Sequence, residues 1–127
     1  MKLIFLLEEP SMKVLLDGIL PRLLPEGVDF LTIPHGGKRE LEAWYWGDLA
    51  AVSKAYGIDL KPLSAKRKYR NPDSIDHPKK ELKRYLPQMG QIEGARRIAP
   101  YMNLEENSSH SFQVFVQGVR RLCEAGV

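Results

Sequence analysis

Cysteine is almost absent. The chain has one, Cys123, so no disulfide can form within it, and its position on an apolar helical stripe reads as a buried thiol. Long hydrophobic runs are missing too: none approaches the roughly 20 residues that span a bilayer, which argues against a membrane protein of the helical kind. Met1-Lys2 and the short apolar run after it imitate the start of a secretion signal, but Glu8-Glu9-Pro10 interrupts the run and no small-residue cleavage site follows. The expectation is a cytoplasmic protein. There are three histidines, and His35 has no second His or Cys at ligand spacing, which makes it a poor metal candidate. No G-x-x-x-x-G-K-[ST] phosphate loop occurs, and neither internal repeats nor low-complexity segments are present.

What remains has the composition of a folded domain. Of 127 residues, 43% are hydrophobic and 28% charged, enough for one domain with a modest core. The chain is organised around Leu3-Ile-Phe-Leu-Leu-Glu8-Glu9-Pro10-Ser11. Its apolar run reads as a strand buried on both faces that stops at two carboxylates. In a parallel sheet that stop is the edge where ligands bind; alternatively it is a solvated acidic turn. Ser11 is placed to cap a helix whose apolar residues, Met12, Leu15, Leu16, Ile19, Leu20 and Leu23, recur at helical spacing. Pro21 should kink or interrupt it. Val28 to Ile33 reads as a second strand, so a right-handed βαβ unit with parallel strands is expected.

The charge is unevenly spread. Residues 1–60 carry six Lys/Arg against nine Asp/Glu, and residues 61–127 carry thirteen against seven. Lys61 to Arg84 alone holds nine basic and three acidic residues. Carboxylates in one part and a basic stretch in the other suit a metal-dependent protein acting on a polyanion; they also suit an ordinary solvated surface. His35-Gly-Gly-Lys38 should form a loop at the end of the second strand, either a plain turn or one from which Lys38 could reach a phosphate. Arg39-Glu40-Leu41-Glu42-Ala43-Trp44-Tyr45-Trp46 packs three aromatics beside two carboxylates, which implies a partly buried junction. Its glutamates are either solvated or, for Glu42 and Glu40, carboxylates that join Glu8.

Asp48 should cap a helix ending at Gly57. In the aperiodic stretch that follows, Lys66, Arg67, Lys68 and Arg70 surround Tyr69, a pattern that could contact a nucleic-acid backbone and stack on a base, or form a solvated loop. Further helices are expected over Lys79 to Leu86, over Gln91 to Tyr101, interrupted by Gly94 and with Arg96 and Arg97 near its middle, and from Phe112 to Cys123.

Taken together, Leu6-Leu-Glu8-Glu9-Pro10-Ser11, Ile33-Pro-His-Gly-Gly-Lys38, Arg39-Glu-Leu-Glu-Ala-Trp44, Asn71-Pro72-Asp73, Gly94-Ala-Arg-Arg-Ile-Ala99 and Ser111-Phe112 resemble a bacterial family, domain-of-unknown-function family 4276, with a Toprim-like N-terminal half and genes often beside AAA-type ATPases. The resemblance implies that Glu8 is a strand-end glutamate that binds magnesium for phosphodiester chemistry, and that Glu42 is the acidic position before the tryptophan near the same metal. It implies catalytic roles for Glu8 and Glu42; Glu40 is a further metal candidate from the residues alone. Phosphates would be held by Lys38, Arg70, Arg96 and Arg97.

The sequence departs from that pattern. Glu9 and Met12 stand where the family has glycine and glutamate, and Lys38 is followed at once by Arg39, where a central strand and an Asp-x-Asp pair are expected. No Asp-x-Asp occurs in the chain. The expectation is therefore a single α/β domain: a truncated Toprim-like part over residues 1–47 with a small parallel sheet, and a helical part over 48–127. Functionally it is a magnesium-dependent nuclease impaired by the missing segment or, alternatively, a non-enzymatic partner of nucleic acid or of an AAA-type ATPase. So narrow a sheet leaves strand edges exposed, so association with itself or with a partner to cover such an edge is expected.

Overall fold

The computed structural model describes residues 2–7, 10–34 and 41–125. The chain is α/β. Strand β1 (Lys2–Leu7), helix α1 (Pro10–Leu23) and strand β2 (Asp29–Pro34) form a βαβ unit in which β1 and β2 pair in parallel, Lys2 opposite Asp29 and Phe5 opposite Thr32. Short helices α2 (Glu42–Trp46) and α3 (Leu49–Tyr56) follow. Three 3₁₀ turns at Lys61–Ala65, Arg67–Tyr69 and Pro72–Ser74 lead to α4 (Pro78–Lys83). Helix α5 (Gln91–Ile98) runs into a last 3₁₀ turn, Ala99–Tyr101, and α6 (His110–Ala125) ends the described chain.

The apolar stripe of α1 does what its spacing implies: Leu15, Leu16, Ile19 and Leu20 are all buried. They pack α1 against α5 and its 3₁₀ extension. Arg22 fastens the same packing, donating to the carbonyls of Ala99 at 3.0 Å and Met102 at 2.8 Å. Two local expectations change. The helix starts at Pro10, which leaves Ser11 inside the first turn, and of the two outcomes expected at Pro21 it does not end near Leu20 but continues through the proline to Leu23.

The sheet is thinner than its apolar strands suggest. Its inner face meets the core through Phe5, Phe30 and the buried Thr32, which donates to Asp17 Oδ1 at 2.8 Å and accepts from Lys13. Its outer face is open at its described positions: Ile4 is 61% and Leu31 44% exposed, and Lys2 and Asp29 are exposed as well. The expected burial of β1 on both faces is therefore corrected, since two strands and one layer of helix can cover one face only.

Asp48 caps α3 through Ala51 N–H, and Gly57 ends it in the left-handed region at φ 67°. Both match the expectation from sequence. Asp48 also accepts from Asn103 N–H at 2.7 Å with its other oxygen, tying α3 to the segment before α6. On α6, Phe112, Val116, Val119 and Cys123 are buried, whereas Leu122 is 56% exposed and leaves the expected apolar face. Among the described residues no helix is long and apolar enough to cross a membrane.

Candidate functional site

The basic stretch has no regular helix of its own until α4, so it needs an anchor, and Trp46 provides it. The Tyr69 ring stacks on Trp46 with centroids 4.2 Å apart, and Tyr85 meets both rings edge-on. Tyr69 is 3% exposed. This corrects its expected role as a stacking platform for a base: the ring is already occupied by Trp46. Its hydroxyl donates to Glu81 Oε2 at 2.7 Å, and Glu81 also pairs with Lys68 at 2.9 Å and with Arg84 at 3.3 Å. Lys68 first and the Tyr69 hydroxyl second hold the Glu81 carboxyl down at about 2. Burial, followed by the bonds to Tyr85 and Glu81, pushes the Tyr69 phenol well above its ordinary value.

The outcome is a firm floor under a basic surface. Lys66, Arg67, Lys68 and Arg70 are exposed in the turns that precede α4, Lys80 and Lys83 are exposed on α4, and Arg84 is exposed just after it. Lys61, Lys66, Arg67, Arg70, Lys80 and Lys83 have no acidic partner among the described residues. Arg96 and Arg97 are exposed but engaged. Arg96 pairs with Glu93 at 2.9 Å. Arg97 lies 4.3 Å over the Tyr56 ring and donates to the Ala55 carbonyl, so its guanidinium helps to pack α5 on α3.

The carboxylate half of the expected site is mostly outside the described residues, where Glu8, Glu40 and Lys38 lie. Glu42 is described, and it is 1% exposed in the first turn of α2. It lines a cavity of about 230 Å³ together with Lys79, Lys83, Met89, Gly90 and Gln91. Magnesium takes carboxylate and water oxygens at close to octahedral geometry. Two lysines and a thioether beside one carboxylate do not fit it, and among the described residues no three His, Cys, Asp or Glu side chains could hold a metal ion.

A second polar centre was not anticipated from the sequence. Trp44 Nε1 donates to Ser111 Oγ at 3.0 Å. Asp73 accepts from Ser109 Oγ at 2.6 Å and from Ser111 N–H at 2.9 Å, and Ser109 Oγ accepts from Phe112 N–H at the start of α6. Burial raises the Asp73 carboxyl, but the bonds from Ser109 and Ser111 outweigh it and hold the group below its ordinary range. Asn107 closes the junction by donating to the Trp44 carbonyl and accepting from Ser109 N–H. Gly47 belongs here as well: a Cβ on it would overlap Asn107 Oδ1 and lie 2.7 Å from Ser109 N. The Asn-Pro-Asp and Ser-x-Ser spacings were the available signals, and they are signals of turns and caps.

Comparison with known families adds one finding: the model of a domain of unknown function, DUF4276, matches residues 28–120. The chain belongs to that family. Comparisons with curated proteins and with solved structures find no match. The DUF4276 match runs from β2 to α6, so it takes in Trp44, the basic stretch and the Asp73 junction, while β1, Glu8 and α1 fall outside it.

Proposed function

We propose that this DUF4276 chain binds the phosphate backbone of a nucleic acid through the surface formed by Lys61, Lys66, Arg67, Arg70, Lys80 and Lys83. One observation carries the reading: these cations are exposed and without acidic partners among the described residues, and the segment that bears four of them is fixed to the core by the Trp46–Tyr69 stack. Like charges held in proximity repel one another, and a polyanion relieves that repulsion while releasing its own counterions. With Tyr69 buried, the surface offers charge and not base stacking, so the binding is insensitive to sequence.

Fluorescence anisotropy with labelled single- and double-stranded DNA tests this across salt concentration. The expected result is an affinity that falls steeply with salt, non-specific in class, with Kd on the order of 10⁻⁴ to 10⁻⁶ M. Replacing Lys66, Arg67 and Arg70 together by alanine should flatten the salt slope by about three, about one for each phosphate-binding cation removed. Binding that ignores salt, or no binding at all, overturns the reading and favours a protein partner such as an AAA-type ATPase. The nuclease reading rests on Glu8 and Glu40, which lie outside the described residues, and incubation of plasmid DNA with magnesium tests it separately.

A further inference from the structure

We propose that a second copy of this chain covers the open face of the sheet, stacked face to face about a two-fold axis that runs along the strands between β1 and β2. The face is apolar at its middle, where Ile4 and Leu31 are exposed side by side in the register of the two strands. At its start it is charged with both signs. Lys2 and Asp29 are direct register partners, both exposed, and neither has an ion pair among the described residues.

This pattern selects one symmetry. A two-fold axis parallel to the strands keeps their direction and exchanges the positions of β1 and β2. Ile4 of one copy then lies against Leu31 of the other, and Lys2 against Asp29, twice over, as an isologous interface requires. An axis across the strands reverses them and sets neither lysine against an aspartate. Face-packed sheets sit about 10 Å apart and cross at about −30°. A lysine side chain two positions from the centre of the interface spans the offset that such a crossing introduces. The charge pairing also separates this arrangement from edge-to-edge strand pairing, which would leave Ile4 and Leu31 in water.

The interface is small, so its affinity belongs to the weak class, with Kd between about 1 μM and 1 mM. Sedimentation equilibrium of the full 127-residue chain over that range should show a monomer and dimer in exchange. Lys2→Glu and Asp29→Lys should each weaken the dimer about tenfold, since each sets like charges against one another. The double variant Lys2→Glu/Asp29→Lys should recover the original constant to within about threefold, and Ile4→Asp should abolish the dimer. Thermal melts of dilute, monomeric protein report separately what these changes do within one chain. A monomer at every concentration overturns the proposal and leaves the face to a different partner. A dimer that survives Ile4→Asp, or one that the double variant fails to restore, overturns it in favour of edge pairing.

Discussion

At the scale of single residues, Asp73 shows how a carboxylate can look catalytic and act as a fastener. It stands in a 3₁₀ turn and accepts the Ser109 hydroxyl, the Ser111 N–H and the Ser111 hydroxyl. Ser109 is fully buried and Ser111 carries the Trp44 indole, so the bonds reach the core from the surface. Replacing Asp73 by alanine removes the acceptor for a buried hydroxyl and a backbone donor. An unsatisfied buried group costs about 1–3 kcal/mol, and Asp73→Ala should lower stability by about that amount. Urea unfolding followed by tryptophan fluorescence measures it, and the basic surface should bind DNA unchanged. An effect on binding larger than the effect on stability would show that Asp73 also serves the site.

At the scale of elements, Glu81 is the link between the irregular basic segment and α4. Its carboxyl is held at about 2 in the folded chain, against about 4.3 in an unfolded one. The unfolded state therefore takes up the proton first as pH falls, so the stabilisation is complete above the unfolded value and is lost between about pH 4.5 and about pH 2. Asp73, also held below its ordinary range, adds to the same trend. Urea midpoints measured from neutral to acid pH should fall across that window, and in Glu81→Gln the fall should be shallower.

The elements also divide by what the sequence could reveal. The βαβ unit and the Asp48–Gly57 helix were legible because their signals are local: an apolar stripe at helical spacing, a capping carboxylate, a glycine that accepts positive φ. The exposure of Lys66, Arg67 and Arg70 was legible from charge alone. Tyr69 was not, because its neighbours in sequence are all basic and the ring that buries it, Trp46, lies in another helix. Glu42 was half legible: the aromatics beside it announced a buried junction, but nothing local said that the carboxylate would share a cavity with Lys79 and Lys83.

At the scale of the whole molecule, the family match and the folding unit do not coincide. The match begins at residue 28, yet α1 supplies Leu15, Leu16, Ile19 and Leu20 to the core, each no more than 1% exposed. Burying a Leu or Ile side chain contributes about 1.5–3 kcal/mol, so four of them contribute about 6–12 kcal/mol, comparable with the roughly 5–15 kcal/mol that holds a whole domain together. Arg22 would be removed as well, leaving the carbonyls of Ala99 and Met102 without their donor. A fragment of residues 28–127 should therefore fail to form the native core, although it holds the whole of the matched region. Far-ultraviolet circular dichroism and near-ultraviolet tryptophan signals would show helix without fixed aromatic packing, and no cooperative thermal transition. Supplying residues 1–27 as a separate peptide should restore the transition, because the packing of α1 on α5 does not depend on the connection to β2. A fragment that melts cooperatively by itself would mean that α2 to α6 close their own core, and that the βαβ unit is an appendage to it.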